Sequence, residues 1–406
     1  MNDALIFLLL FVAIAIGWYL GRRSAGLRVA GSNHRSDYYK GLNYLLDTHS
    51  DVDRDSVDMQ ADSYVSNLEV SSETLEAHIT IGKVLRKRGE VDRAIRIHQN
   101  LLSVPDLPQA QVHEAHLELA LDYVAAGLLD RAEQLFLDLA QESPLQRQPS
   151  LHHLQEIYQS ERDWPKAIAV AKAQLSDDQA SSGSEITAPG QSVAVALAHY
   201  HCELAAQALE ASDEALVRRE LGEALAQDAQ CARASLLLAE LELRAGNVKR
   251  AVSSLRNIRQ QNPDFIVESI PLLRQCYEAV GDTATLQTYL RDCLDAYPSA
   301  PLVLAIAEDL QQSSGEIAAA EFLSSQLADR PSLRGLQRLI GMQLASAEGA
   351  IRGNLAVLQV LVERLIEERP AYRCGHCGFS GTQLHWSCPS CKHWSTMKTS
   401  RESAME

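Results

Sequence analysis

The sequence predicts a mainly α-helical chain in three parts: one N-terminal transmembrane helix, a long array of helical hairpins, and a small C-terminal β domain built around a metal. Three observations predict this. An uncharged apolar run opens the chain, a phrase containing Gly and Ala recurs through the middle, and four cysteines stand in two close pairs near the end. Hydrophobic residues make up 46% of the 406 positions and aromatics only 5%, so the chain can bury a core and leans helical. The formal charge of -16 disfavours a general nucleic-acid binder, because such a surface repels phosphate backbones. The acidity belongs to the middle: residues 22–40 sum to +4, residues 371–406 to +2, and residues 41–370 to -21.

The first element is an anchor at residues 1–21. Ala4 to Leu20 is 17 residues without a charge, which as a helix reaches about 26 Å, enough for a thin bilayer. A cleaved secretory signal would carry a basic segment before the apolar run, whereas Asp3 is the charged side chain there. Arg22, Arg23 and Arg28 follow the run, in a basic juxtamembrane segment at residues 22–36, and Trp18 and Tyr19 sit at belt position. The positive-inside rule then places the N-terminus outside and the remaining bulk in the cytoplasm. In a reducing compartment, paired cysteines bind metal more often than they form disulfides.

The second element is the repeat array at residues 37–369. Gly precedes Ala by five residues at Gly89 and Ala94, Gly127 and Ala132, Gly246 and Ala251, and Gly315 and Ala320. Twelve residues before the Ala position stands another small residue, Gly82, Ala120 or Ala239, and twelve after it Pro144 or Pro263. The unit reads as helix, Gly turn, helix, stop. Aligned in this way, Ala94, Ala132, Ala167, Val217, Ala251, Leu286 and Ala320 are 38, 35, 50, 34, 35 and 34 residues apart, and the tetratricopeptide (TPR) period is 34. The sequence therefore predicts a TPR α-solenoid. The step of 50 is assigned to a loop insertion at residues 176–192, residues 37–70 to a degenerate first repeat beginning with GLNYLLD, and residues 333–369 to the terminal pair. Cys202, Cys231, Cys276 and Cys293 are scattered through this helical sequence and read as small buried hydrophobes. Such arrays present a surface for peptides or protein domains and carry no general catalytic role.

The third element, residues 370–406, holds Cys374, Cys377, Cys388 and Cys391 in the pattern C-x2-C-x10-C-x2-C. Two knuckles of this spacing can place four thiolates tetrahedrally around one ion, and the donor set suits zinc and iron alike. Gly375 and Gly378 relax the first knuckle, while Lys392 stands where a glycine often follows the second pair. Tyr372 with Cys374, and Leu384 with Trp386 and Cys388, read as short strands entering the knuckles. His376, His385 and His393 surround the cysteines, but four thiolates complete the shell, so the histidines read as peripheral. No flexible linker precedes Tyr372, so the small domain is expected to dock on the last repeat, with Trp386 or Trp394 on the apolar face of Leu358, Leu361, Leu365 and Ile366.

Signatures of catalysis are missing. Gly82-Lys83 lacks the partner glycine of a phosphate loop, His113 and His116 are three apart where a zinc-protease helix needs four, and no Gly-x-Ser-x-Gly elbow occurs. His152-His153 and the pair His199 and His201 stand apart from any carboxylate or cysteine constellation. The chain reads as a non-enzyme.

The combination resembles the lipopolysaccharide assembly protein B (LapB/YciM) family, most specifically in GWYLGRRSA at 17–25, RGEVDRAIRIHQ at 88–99, and YRCGHCGF with HWSCPSCKHWST at the end. The regions near 47–70 and 176–192 depart from the family's more compact repeats. The resemblance implies an inner-membrane adaptor of Gram-negative bacteria whose cytoplasmic body combines TPR repeats with a rubredoxin-like or zinc-ribbon domain. It further implies an FtsH-type membrane protease and an LpxC-type deacetylase as partners, the adaptor promoting degradation of the deacetylase. A transmembrane lipopolysaccharide-sensing protein is implied as antagonist, and oligomerisation stays open. Two other classes compete: a rubredoxin-type electron carrier using iron at the four cysteines, and an RNA-binding zinc ribbon using Arg373, Lys392, Lys398 and the nearby aromatics.

Overall fold

The computed structural model describes residues 75–105, 107–180, 192–367 and 369–399. The apolar run at Ala4 to Leu20, the basic segment and the degenerate repeat lie outside the described residues, as does most of the insertion. Among the described residues no helix is long and apolar enough to cross a membrane.

The chain divides into two compact units after Ile157. The first holds helices α1 (Leu75–Lys87), α2 (Val91–Leu102), α3 (Gln109–Ala125) and α4 (Leu129–Glu142), and α5 (Pro144–Glu161) runs through the division. The second continues with α6 (Trp164–Ala180), α7 (Val193–Glu210), α8 (Glu214–Gln227), α9 (Ala232–Arg244) and α10 (Val248–Gln261). A 3-10 turn (Pro263–Phe265) leads to α11 (Ile266–Val280), α12 (Thr283–Ala296), α13 (Ala300–Ser314), α14 (Glu316–Asp329), α15 (Leu333–Ser346) and α16 (Gly349–Glu367). Strands β1 (Tyr372–Cys374), β2 (Ser380–Gly381) and β3 (Met397–Thr399) form one antiparallel sheet in the order β2-β1-β3.

The repeat has a single backbone cause. Gly89, Gly127, Gly246 and Gly281 all have φ between 74° and 84°, and Arg162 and Ser212 adopt φ of 59° and 60° at the equivalent place. In each of these six turns the N–H of the following residue bonds the carbonyl five residues earlier, as from Glu90 to Leu85, Asp163 to Tyr158 and Asp213 to Ala208. This is the left-handed C-cap that ends a helix and reverses the chain. Five residues on lies the residue that packs closest, Ala94, Ala132, Ala167, Val217, Ala251 or Leu286, at most 3% exposed. Two repeats hide from a glycine search because Arg162 and Ser212 take the left-handed conformation in spite of their Cβ atoms.

Two expectations need correction. Gly315 has φ 90° and ψ 172°, outside the left-handed helical region, so its turn is tighter and the fully buried alanine is Ala319, not Ala320. Residues Ser176 to Ala180 of the expected insertion continue α6 instead of forming loop, and the Ser176 hydroxyl is satisfied within the helix by the carbonyl of Ala173 at 2.8 Å. Pro144 and Pro263 each start the next helical element, where a missing N–H costs nothing.

In the first unit Gly82 of α1 is required by close approach. A Cβ there would lie 2.4 Å from the ring of His98, which is fully buried in α2 and fixed by Asp122 of α3 at 2.5 Å. Asp122 is held in turn by Arg86 at 2.7 Å, and Arg86 also reaches Glu118. The ring cannot retreat without breaking these bonds, so Gly82→Ala is expected to cost about 1–3 kcal/mol by overpacking. Loss of hydrogen-exchange protection in α1 to α3 would register it, and unchanged protection would refute it.

In the second unit the first helices of successive pairs pack side by side, α7 on α9, α9 on α11 and α11 on α13. Cys202 and Cys231 belong to a core around Val217 and Leu221, and Cys276 and Cys293 to a larger one running from Ala232 to Met342. All four are buried, as expected for small hydrophobes.

Candidate metal centre and its seat

The two knuckles repeat one backbone design. In the first, the N–H of Gly378 bonds the carbonyl of Cys374 at 3.1 Å, and in the second the N–H of Lys392 bonds that of Cys388 at 2.9 Å. Gly378 and Lys392 both take positive φ, 78° and 61°. The lysine tolerates a conformation that favours glycine because its carbonyl is clamped by the side-chain amide of Gln159 at 2.8 Å and the hydroxyl of Ser387 at 3.2 Å. Pairing of β1 with β2 and β3 holds the first knuckle in place, with Met397 fully buried beside Cys374 and Cys388. The expected strand at Leu384 to Cys388 does not form. That segment contributes an isolated bridge from Ser387 to Trp394, because Leu384 and Trp386 alternate to reach the helical core and not to line a sheet.

The sulfurs of Cys374, Cys377, Cys388 and Cys391 all lie within 4.8 Å of one another. Thiolates about 2.3 Å from a central ion form a tetrahedron with edges of about 3.8 Å. Cys374 and Cys391 are separated by 3.8 Å and Cys377 and Cys388 by 3.7 Å, so the cage fits one such ion. Burial would raise the Cys374 thiol, but the N–H groups of Cys377 and His376 and the hydroxyl of Thr396 bring it down to about 6. The backbone N–H of Phe379 lowers Cys377 as well. Burial pushes Cys388 up and Cys391 up to about 12, so two thiols favour ionisation and two must be stripped of protons by an incoming cation. Besides these four, the group His376, Cys391 and His393 brings three ligand groups together, and no further such group occurs among the described residues. His201 pairs instead with Glu220 at 2.7 Å, His153 with Glu156 at 2.9 Å, and His113 with Gln109 at 3.0 Å.

The small domain does not sit on the last repeat. Leu358, Leu361 and Leu365 on α16 remain 47–50% exposed. The domain sits instead on the first helices of the second unit. Trp394, 3% exposed, stacks on His199 of α7 with centroids 4.9 Å apart and meets Tyr200 and Trp164 edge-on. Its indole N–H donates to Gln159 Oε1 at 3.3 Å, which also accepts from the Tyr200 hydroxyl at 2.8 Å. Trp386 packs on Phe265 at 4.9 Å, and the Arg233 guanidinium, ion-paired to Glu203 at 2.7 Å, lies 5.8 Å from the Trp386 ring and 6.0 Å from that of Trp394. At the far edge the Tyr372 hydroxyl donates to Glu268 at 2.7 Å, and Lys398 pairs with Asp264. Both tryptophans are thus engaged with the helices and not free to stack on bases.

The sequence places His199 apart from any carboxylate or cysteine constellation, yet it lies at the centre of this seat, bonded to Ser395 Oγ at 2.7 Å. Burial and the nearby Arg233 guanidinium hold its imidazole down at about 3. An unfolded histidine takes its proton near 6.5, so the neutral ring contributes stability above that pH, and this is lost as the pH falls toward 3, by up to about 1.4 kcal/mol per unit. Urea midpoints measured from pH 7 to pH 4 are expected to fall more steeply in the natural protein than in His199→Phe. Parallel curves would contradict the assignment.

The fold and the cage together define a tetratricopeptide-repeat scaffold with a C-terminal four-cysteine ribbon suited to one metal ion. Residues 77–109 match the tetratricopeptide repeat family, and residues 372–399 match the rubredoxin metal binding domain found in LapB. The chain is 36% identical over 402 residues to lipopolysaccharide assembly protein B of Escherichia coli strain K12, covering 98% of each chain. It is 34% identical to the protein of that name in Haemophilus influenzae, covering 97% of each. The chain belongs to the lipopolysaccharide assembly protein B family. A solved structure, the apo form of RapI, covers 82% of this chain and 97% of its own at 10% identity with a TM-score of 0.37, a likeness too loose to add to the assignment.

Proposed function

We propose that the chain is a non-enzymatic inner-membrane adaptor that restrains lipopolysaccharide synthesis by bringing an LpxC-type deacetylase to an FtsH-type membrane protease. The observation that carries this reading is the match, over nearly the whole chain, to relatives named for lipopolysaccharide assembly. Residues 1–21 serve as the anchor, residues 22–36 as the basic juxtamembrane segment, residues 37–369 as the repeat scaffold, and residues 370–406 as the metal domain. Cys374, Cys377, Cys388 and Cys391 hold one zinc or iron ion, whose contribution is structural because four thiolates leave no open position. A transmembrane lipopolysaccharide-sensing protein acts as antagonist.

The mechanism is proximity. Tethering a scaffold and a protease to one membrane raises the local concentration of whatever the scaffold holds without any new contact at the protease. The ribbon already occupies the first-helix face around α7, α9 and α11, so the deacetylase is held elsewhere on the repeats. Removing residues 1–21 is expected to leave a folded body that lengthens the deacetylase half-life in cells several-fold, and an unrelated transmembrane helix of the same orientation is expected to restore turnover. Full activity of the unanchored body at native abundance would overturn the proximity mechanism.

A further inference from the structure

His376 and His393 stack beside the cage with ring centroids 4.0 Å apart, and one nitrogen of each lies within 4.8 Å of the Cys391 sulfur and of the other. His393 Nδ1 is 2.9 Å from the carbonyl oxygen of Cys391. A carbonyl can only accept, so Nδ1 carries the proton and Nε2 keeps its lone pair. That Nε2 is buried and has no hydrogen-bond partner. A backbone carbonyl fixing one ring nitrogen while the other is left bare is the arrangement by which proteins prepare a histidine to bind metal. Bare buried nitrogens also occur at His98, His199 and His201, but none of those has a second and third ligand group within reach.

We propose that Cys391, His376 and His393 form a second metal site, in which the Cys391 thiolate bridges the ion of the four-cysteine cage to a neighbouring Zn2+ held by the two imidazoles. The site rests on the assignment of the four cysteines to the first ion. Four thiolates around one divalent ion leave surplus negative charge, which favours a second cation at a shared sulfur. Thiolate with imidazole is a donor set that zinc accepts well, and three protein ligands leave one position for water. His376 is exposed, so its ring can turn about its own bonds to direct a nitrogen at the ion.

The test is metal stoichiometry of the full chain, equilibrated with Zn2+ and then freed of unbound metal. Two ions per chain are expected for the natural sequence and one each for His376→Ala and His393→Ala. His376→Ala alters an exposed side chain and stands alone if His393→Ala fails to fold. With Co2+ as probe, the first equivalent is expected to give the intense visible bands of a four-thiolate site, and the second to weaken its paramagnetic resonance signal through the shared sulfur. One zinc per chain in the natural protein, or a second ion retained in both variants, would overturn the site. A first cobalt without thiolate bands would instead remove the four-cysteine assignment beneath it.

Discussion

Ending the chain after Pro370 is expected to strip the cover from Trp164, His199, Tyr200 and Phe265, all at most 5% exposed in the intact protein. Several aromatic rings returned to water, with an indole hydrogen bond to Gln159 and a stacked pair lost, amount to a destabilisation on the order of 5 kcal/mol. Hydrogen exchange should quicken in α7, α9 and the 3-10 turn, while α16 keeps its protection because its leucines never met the ribbon. Under the proposed adaptor role, deacetylase half-life should lengthen at the same time. Loosening of α16 with α7 and α9 unaffected would place the seat where the sequence alone suggested it and not where the side chains lie.

Replacing Cys388 by Ser should be nearly as severe. Cys388 is fully buried, its sulfur faces that of Cys377 across the cage, and its backbone N–H anchors the second knuckle on the carbonyl of His393 at 2.8 Å. Structural zinc supplies about 10–16 kcal/mol of binding energy to domains of this size, and that energy is folding energy. Metal content below half of the natural value is expected, together with new protease cleavage between residues 371 and 399. Cys276→Ser serves as the control, since its sulfur lies in the helical core, and it should leave metal content unchanged. Full metal content and an intact tail in Cys388→Ser would remove the structural role of the cage.

The period was legible because four of the six left-handed caps are glycine and most of the closest-packed positions are alanine, both of which print directly into the sequence. Arg162 and Ser212 escaped because a conformation can be occupied at some cost by a residue that does not advertise it. The cage was legible for a similar local reason, since two residues between cysteines are enough to bring both sulfurs to one point. The seat was not. Gln159 and Trp394 are 235 residues apart, His199 and Ser395 are 196, and no local spacing links them. The apolar face of α16 looked like the nearest platform along the chain, but nearness along the chain does not decide which rings stack.

That separation changes how the second unit can come apart. A repeat array built from neighbour contacts unravels from an end, one hairpin at a time. Here the ribbon is fastened to the first helices of the second unit, by a bond from Gln159 to the carbonyl of Lys392 across 233 residues. Force applied to the ribbon at Thr399 therefore loads the four-cysteine cage and its aromatic seat before α16 feels it. With the ribbon riveted in this way, the last repeats of the second unit form a closed loop with its first helices instead of a free end.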